Sequence, residues 1–542
     1  MMTSRINTTD DLGRRIAKNV LHKFFTTQSY PYTKHHIDSY DQFLSTDLAA
    51  IFRSNNPIRN VKDYIEGKTN TYVYNVEIYV GGENGDDIEI GTPAVNLDQS
   101  NDVRLMFPNE ARLRNLTYAA DVKVGITVKI TYNEVNADKT ITPHTQSIDF
   151  KGIRLFKIPI MLHSRYCQLH NKPREFLIEA GECPYDYGGY FIVDGSEKVL
   201  IGRQEQAFNT LYVTKQEKDE KISVYANVTS LSPETRKIQF TSFSILRSND
   251  VIYATIPMVR APINVFVLFR ALGIQSDEAI VKMIFPDLEA ADAKFLADKL
   301  IPTIINAYPF TTSVLAIQYI KTLTKGFSIA TVLDILRNKL FTHVLDKPGA
   351  RATYLAECIR HILKVAYGFE NSTSRDDVRN QRCLTSGFLV QDLFSDSYKD
   401  WIKAVRFAID EEYNYHKQIY VGTNFGDIFR EGNRNRIFKE GFISDLLLKG
   451  FKGKWGSGLG EDKTGVLQAL SRLSYIDFIS HCRRIVLDFD TGQKLTGPRL
   501  LNTSQYGYFC TNETPSGASI GITKNLTVLA TISTGMRPGP LV

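Results

Sequence analysis

The sequence predicts a multidomain α+β fold, and three observations carry that expectation. The first is length: 542 residues exceed what one hydrophobic core accommodates, so two to four domains are expected. The second is the segregation of two periodicities. β-Branched and aromatic residues alternate with polar ones over 71–80 and 121–132, the pattern of half-buried strands. Most of 275–368, and stretches near 386–420 and 436–450, follow a helical period instead. The third is composition: 43% hydrophobic and 23% charged residues are ordinary for a globular chain.

Taken in order, residues 1–55 are helical, most clearly from His36 to Phe52. After the strand at 71–80, Pro108–Tyr118 leads into the second strand. If it is extended, Arg112 and Arg114 face one side. Lys157–Ser164 is an apolar strand with a polar stop. Gly188–Ile201 reads as a hairpin with arms Tyr190–Val193 and Val199–Ile201 around the turn Asp194-Gly195. Strand-like alternation covers 210–260, and Ile263–Gly273 is a helix with a glycine cap. A polar break at 370–382 separates it from the later helices. Lys452–Gly460 is a glycine-rich connector, and a helix carrying Val466, Leu467, Leu470 and Leu473 on one face follows it.

Several function classes are disfavoured. The six cysteines (Cys167, Cys183, Cys358, Cys383, Cys482, Cys510) include no CxxC pair, which argues against zinc and against a disulfide framework. His163, His170 and His481 lack ligand spacing. The N-terminus has no apolar signal region and no window is long enough to span a bilayer, so an intracellular chain with no membrane partner is expected. No Gly-rich phosphate loop and no nucleophile elbow is present. A net charge of +6 permits local basic patches without requiring a polyanion partner.

The most informative stretch is 481–526. Arg483 and Arg484 open it, a turn at Asp490-Thr491-Gly492 follows, then Lys494 and Arg499, and Glu513-Thr514-Pro515-Ser516-Gly517 closes it. Cations at both ends of an exposed loop suit phosphate oxygens. This order resembles the fork region of the second-largest subunit of multisubunit DNA-dependent RNA polymerases: an arginine pair, a variable basic loop, Pro-Arg, a segment ending in Tyr-Gly or Trp-Gly, then Glu-Thr-Pro-Glu-Gly. Ser516 replaces that second glutamate. The run GGYFIVDGSEKVLI at 188–201 with Gln204 and Glu205 is similar to a second motif of the family, with Asp194 for asparagine and a spacer longer by one residue. Pro108–Tyr118 and Asp38–Phe43 resemble further family signatures, and 370–382 resembles another more loosely, with Ser374 and Gln381 departing.

The resemblance implies a protrusion, lobe and fork architecture of archaeal, eukaryotic or large-DNA-virus type. Residues 1–221 begin the protrusion, 222–380 form an inserted lobe, 381–454 return to the protrusion, and 455–542 form the fork. It implies Arg483, Arg484, Lys494 and Arg499 as nucleic-acid contacts, Lys463, Arg472 and His481 as weaker ones, and Glu513 as support for the active centre. One arginine of the pair could instead brace the loop through Glu513. Asp488 and Asp490 have no third aspartate beside them and are read as a loop turn, not a metal site. The family's remaining parts lie beyond this sequence, so the chain is expected to be inert alone. The implied partners are the largest subunit, which would carry Mg2+, the C-terminal half of the second-largest subunit, template DNA and RNA transcript. A split gene, an intron or intein, or a partial sequence would each account for the short chain. Nucleus, cytoplasm and virion are all open as compartments. The rival reading is a structural, assembly or relic protein that keeps the fold without transcription.

Overall fold

A computed structural model describes residues 3–534 except 67–69, 97–102, 136–140, 218, 233–237, 288, 326–327, 417–418, 421, 457–464, 489–491 and 493–494. The chain forms two compact units, one made of Met1–Glu205 with Cys383–Val542, the other of Gln206–Arg382.

The first unit is built on an antiparallel sheet in which Ile58–Glu66, Asn70–Val80 and Ala119–Val135 are successive neighbours, and Ile88–Ile90 and Ile141–Pro159 also pair with Ala119–Val135. Alternation puts Tyr74, Val76, Ile78 and Val80 on the inner face, opposite Tyr132, Ile130, Val128 and Ile126 in register. The long helix Ser386–Tyr415 shares their core through Phe394, Tyr398 and Trp401. The Phe394 ring lies 4.9 Å from Phe156, and the Trp401 indole donates to the Phe438 carbonyl at 2.6 Å. The helices Thr3–Thr27, Lys34–Gln42 and Leu48–Asn55 match the helical reading of the N-terminus.

The 188–201 hairpin is present: Phe191–Val193 pairs antiparallel with Ser196–Leu200. Asp194 and Gly195 take φ of 48° and 74°, the left-handed pair that a two-residue turn needs. Two local expectations are corrected. Pro108–Leu113 is a short helix rather than a strand, so Arg112 and Arg114 diverge: Arg114 pairs with Glu110, while Arg112 turns inward to Glu182 and Glu197. The segment with Val466, Leu467 and Leu470 is not helical. Leu467–Ala469 pairs with Ser196–Leu200 and adds a third strand to the hairpin; its apolar residues suit either period over so short a run.

The second unit carries an antiparallel sheet in the order Leu211–Lys215, Ile222–Leu231, Ile238–Leu246, Ile252–Thr255, Ile263–Asn264. Helices from Val265–Ala271 to Ala350–Ala366 cover its core. Asn264 caps the first of these, accepting from the Phe266 amide at 2.9 Å, and Gly273 follows it at φ 104°. Arg270, buried beneath it, reaches the carbonyls of Ala307 (2.7 Å) and Phe310 (3.0 Å) and the Asp277 carboxylate (2.5 Å). This unit begins at Gln206, and Leu211–Lys215 pairs with Ile222–Leu231 in its own sheet.

Candidate nucleic-acid interface

The basic segment belongs to the first unit and is fixed there by backbone pairing. Arg484–Leu487 lies between Gly202–Gln206, to which it runs parallel, and Thr523–Asn525, to which it runs antiparallel. At Gly202 a Cβ would stand 2.4 Å from Ile485 Cδ1, so any larger residue would require the Ile485 side chain to shift. The helix Tyr475–Cys482 delivers the chain to this strand, capped by Ser474, whose hydroxyl accepts from the Asp477 amide at 3.1 Å.

The arginine pair divides at this point. Arg483 is 4% exposed, and its guanidinium donates to the carbonyls of Tyr32 (3.1 Å), Thr527 (2.6 Å) and Ala530 (2.9 Å). It holds the chain at Tyr32 to the Thr527–Ala530 turn and acts as an internal brace. The acceptors are carbonyls, so the brace does not use Glu513. Burial pulls the Arg483 pKa down, Tyr32 and Cys482 opposing. Arg484 points the other way on the strand while Ile485 enters the core. Arg484 is half-buried and forms no hydrogen bond or ion pair among the described residues; its Nε in particular has no partner.

Arg472 is engaged within the chain. Its guanidinium bonds Glu197 (2.8 Å), Asp186 (3.0 Å) and the Tyr190 hydroxyl (3.0 Å), and lies over the rings of Tyr190 and Phe478 at 5.2 and 4.6 Å. Arg112 enters the same cluster, its Nη1 donating to both carboxylate oxygens of Glu182 (2.8 and 2.9 Å), its Nε to Glu197 (2.9 Å) and its Nη2 to the Tyr190 hydroxyl (2.9 Å). Burial opposes ionisation of Glu197, but Arg472 and Arg112 outweigh it and hold its carboxyl below the usual range.

His481 is enclosed. Nδ1 accepts from the Ser471 amide (3.0 Å), which leaves Nε2–H to donate to Gln468 Oε1 (3.1 Å). Burial, reinforced by Arg484, pushes its pKa down to about 4, so the ring is neutral at pH 7. Glu513 is exposed; its carboxylate accepts from the Ser480 hydroxyl, and its carbonyl accepts from Asn525 Nδ2 at 3.2 Å. Arg499 is half-exposed and donates to the carbonyls of Ala518 (2.5 Å) and Ile520 (3.2 Å), bracing the Glu-Thr-Pro turn. Lys494 and Lys463 lie outside the described residues. Asp488 is committed to Arg203 at 2.9 Å. No group of three His, Cys, Asp or Glu side chains among the described residues could hold a metal ion.

Sequence reasoning missed three elements of this site: Arg203, read as a spacer residue; the cluster around Tyr190; and His36. Burial pushes the His36 pKa down to about 4. Its Nε2 meets the Cys482 carbonyl at 2.9 Å and its Nδ1 the Ser386 hydroxyl at 2.6 Å, so it ties the first helices and the long helix to the basic segment.

Residues 31–425 match the family RNA polymerase beta subunit, and residues 468–532 match RNA polymerase Rpb2, domain 3. The chain is 29% identical over 540 residues to DNA-directed RNA polymerase II subunit RPB2 of Encephalitozoon cuniculi, covering 97% of this chain and 44% of that relative. It is also 29% identical over 527 residues to DNA-directed RNA polymerase II subunit 2 of Arabidopsis thaliana, covering 93% and 42%. The DNA-directed RNA polymerase subunit Rpo2N of Methanothermobacter thermautotrophicus is 29% identical over 553 residues, with 96% of both chains covered. This chain thus spans less than half of the two eukaryotic relatives and nearly all of the archaeal one. By these matches the chain belongs to the RNA polymerase beta subunit family and corresponds to the N-terminal half of the second-largest subunit.

Proposed function

We propose that this chain works as the N-terminal half of the second-largest subunit of a DNA-directed RNA polymerase, a nucleotidyltransferase, and that it contributes to transcription without catalysing it. Its partners are the largest subunit, the C-terminal half of the second-largest subunit, the DNA template and the RNA transcript, and the assembly is intracellular. In this reading the first unit forms protrusion and fork, and the insert forms the lobe. Mg2+ held by the largest subunit supplies the metal-assisted displacement in which RNA is extended. This chain's residues line the downstream cleft and hold strand and turn geometry beside the active centre. Arg484 and Arg499 face phosphate oxygens, and Glu513 steadies a partner's moving loop.

The observation that carries the proposal is the combination of a rigid base and an uncovered outer face in 467–530. The base is fixed by strand pairing, Arg483 and the Tyr190 cluster. On the outside Leu473 is 92% exposed and Tyr506 81%, with Ile476, Leu500 and Leu501 also exposed. Large apolar side chains held in water on a fixed scaffold suit a subunit interface. The test is co-expression with a largest subunit and a chain carrying the other half of the second-largest subunit. Joint purification and template-dependent RNA synthesis are expected, with none from this chain alone. Purification apart from both partners would favour a relic or assembly protein.

A further inference from the structure

Beside the basic segment, the first unit contains a polar cavity of about 330 Å3 that the polymerase reading does not use. Its lining includes Tyr30, His163, Lys172, Arg174, Tyr185 and Tyr187. The floor is closed: His163 is 3% exposed, and its ring packs 4.9 Å from Tyr30. The rim is cationic. Lys172 and Arg174 are both exposed, and neither is tied to a carboxylate among the described residues. The carboxylate in the lining, Asp186, is already engaged by Arg472 (3.0 Å), the Tyr190 hydroxyl (2.8 Å) and the Gly188 amide (2.8 Å). Arg174 lies 5.3 Å from the ring centroid of Tyr185, which is itself 59% exposed.

We propose that this cavity takes one nucleotide of a single-stranded nucleic acid, its phosphate on Lys172 and Arg174 and its base against the tyrosines. Free cations beside flat aromatic faces are what sequence-tolerant single-strand binding uses, and the volume admits one nucleotide rather than a duplex. The pocket is tied to the basic segment by direct contacts: Tyr475 donates its hydroxyl to the Tyr185 carbonyl at 3.3 Å, and the Tyr187 ring packs 5.0 Å from that of Tyr32, whose carbonyl accepts from Arg483. A strand emerging past Arg484 would therefore find a second foothold on the same rigid unit. The choice of nucleic acid as ligand rests on the polymerase reading; the pocket itself does not.

The experiment is fluorescence anisotropy of a fluorescein-labelled five-nucleotide oligouridylate on the full chain across a salt series. All variants change exposed side chains, and thermal melts confirm that they fold. Lys172→Ala with Arg174→Ala is expected to weaken binding at least tenfold at low salt and to flatten the log–log salt slope by about 1.4. Tyr185→Ala is expected to weaken it about tenfold with the slope unchanged. Equal affinity of wild type and the triple variant overturns the pocket, as does displacement by inorganic phosphate with no effect of Tyr185→Ala. A chain that assembles into polymerase yet binds the oligonucleotide equally with and without these side chains sinks the pocket alone. A chain that does not assemble, but loses binding in the variants, sinks the polymerase reading alone.

Discussion

Arg483 and Arg484 are neighbours in sequence and opposites in structure. One guanidinium sits in the protein interior on three carbonyls, and the other belongs to a half-buried strand residue whose buried Nε has no partner. The same contrast recurs over a longer distance, between Arg472, spent on Glu197 and Asp186, and Arg499, which keeps part of its surface beside the Glu-Thr-Pro turn. A cation in a basic motif is therefore not by itself a nucleic-acid contact. Strand alternation and the identity of the acceptors decide which side chains remain for a partner.

The sharpest way to break this comparison is to truncate the pair one residue at a time. Arg483→Ala leaves three partly buried carbonyls without their donor and opens a void. It is expected to destabilise the chain by about 3 kcal/mol or more. Arg484→Ala is expected to stay within about 0.5 kcal/mol. Urea denaturation measures both, and equal losses would erase the distinction between brace and free cation.

The Tyr190 cluster gives the next largest effect. Arg112→Met strands Glu182, which is almost completely enclosed, and is expected to cost about 2–4 kcal/mol. Arg472→Met, at a more open position, is expected to cost about half as much because water screens its partners. Both arginines share Glu197 and Tyr190, so the double variant should depart from additivity by about 1 kcal/mol. Strict additivity would mean that the two guanidiniums do not act as one clamp.

The hairpin at 188–201 could be read because a two-residue Asp-Gly turn between apolar arms has few other solutions. The mixed fold followed from periodicity, and the motif order in 481–526 pointed to the family. The fate of individual cations could not be read. Arg483 is buried because Tyr32 and the Thr527–Ala530 turn converge on it, and those two segments are far apart in sequence. The helix that carries Arg112 is six residues long, too short for its pattern to separate the two periods. Leu467–Ala469 became a strand because the hairpin edge was free to accept it, a tertiary fact.

Acid titration sharpens the comparison from the neutral side. Burial holds His36 and His481 near pKa 4, below the ordinary 6.5, so between those values the unfolded chain binds more protons than the folded one. Their contribution is fully present above pH 6.5 and is lost as pH falls toward 4. His36→Gln and His481→Gln should each flatten the stability profile in that window, by about 1–3 kcal/mol at its acid end. An unchanged profile would mean that these rings are solvated, and with them the anchor of the basic segment.

The smallest effect on stability is expected to be the largest on function. Arg484→Ala and Arg499→Ala differ in what they leave behind. Arg484 has no protein acceptor to abandon among the described residues, whereas Arg499 abandons the carbonyls of Ala518 and Ile520, which lie near the surface and can be rehydrated. Neither should lower the melting temperature of the chain by more than a few degrees. In the assembled polymerase each cation that faces a DNA phosphate should remove about 0.9 from the log–log salt slope of DNA binding. The pair together should therefore flatten it by nearly two, while Arg483→Lys leaves the slope alone and weakens folding instead. If the slope follows Arg483 rather than Arg484, the interior arginine reaches DNA only after the carbonyls of Tyr32, Thr527 and Ala530 release it. The static division between brace and contact would then have to be replaced by a switch.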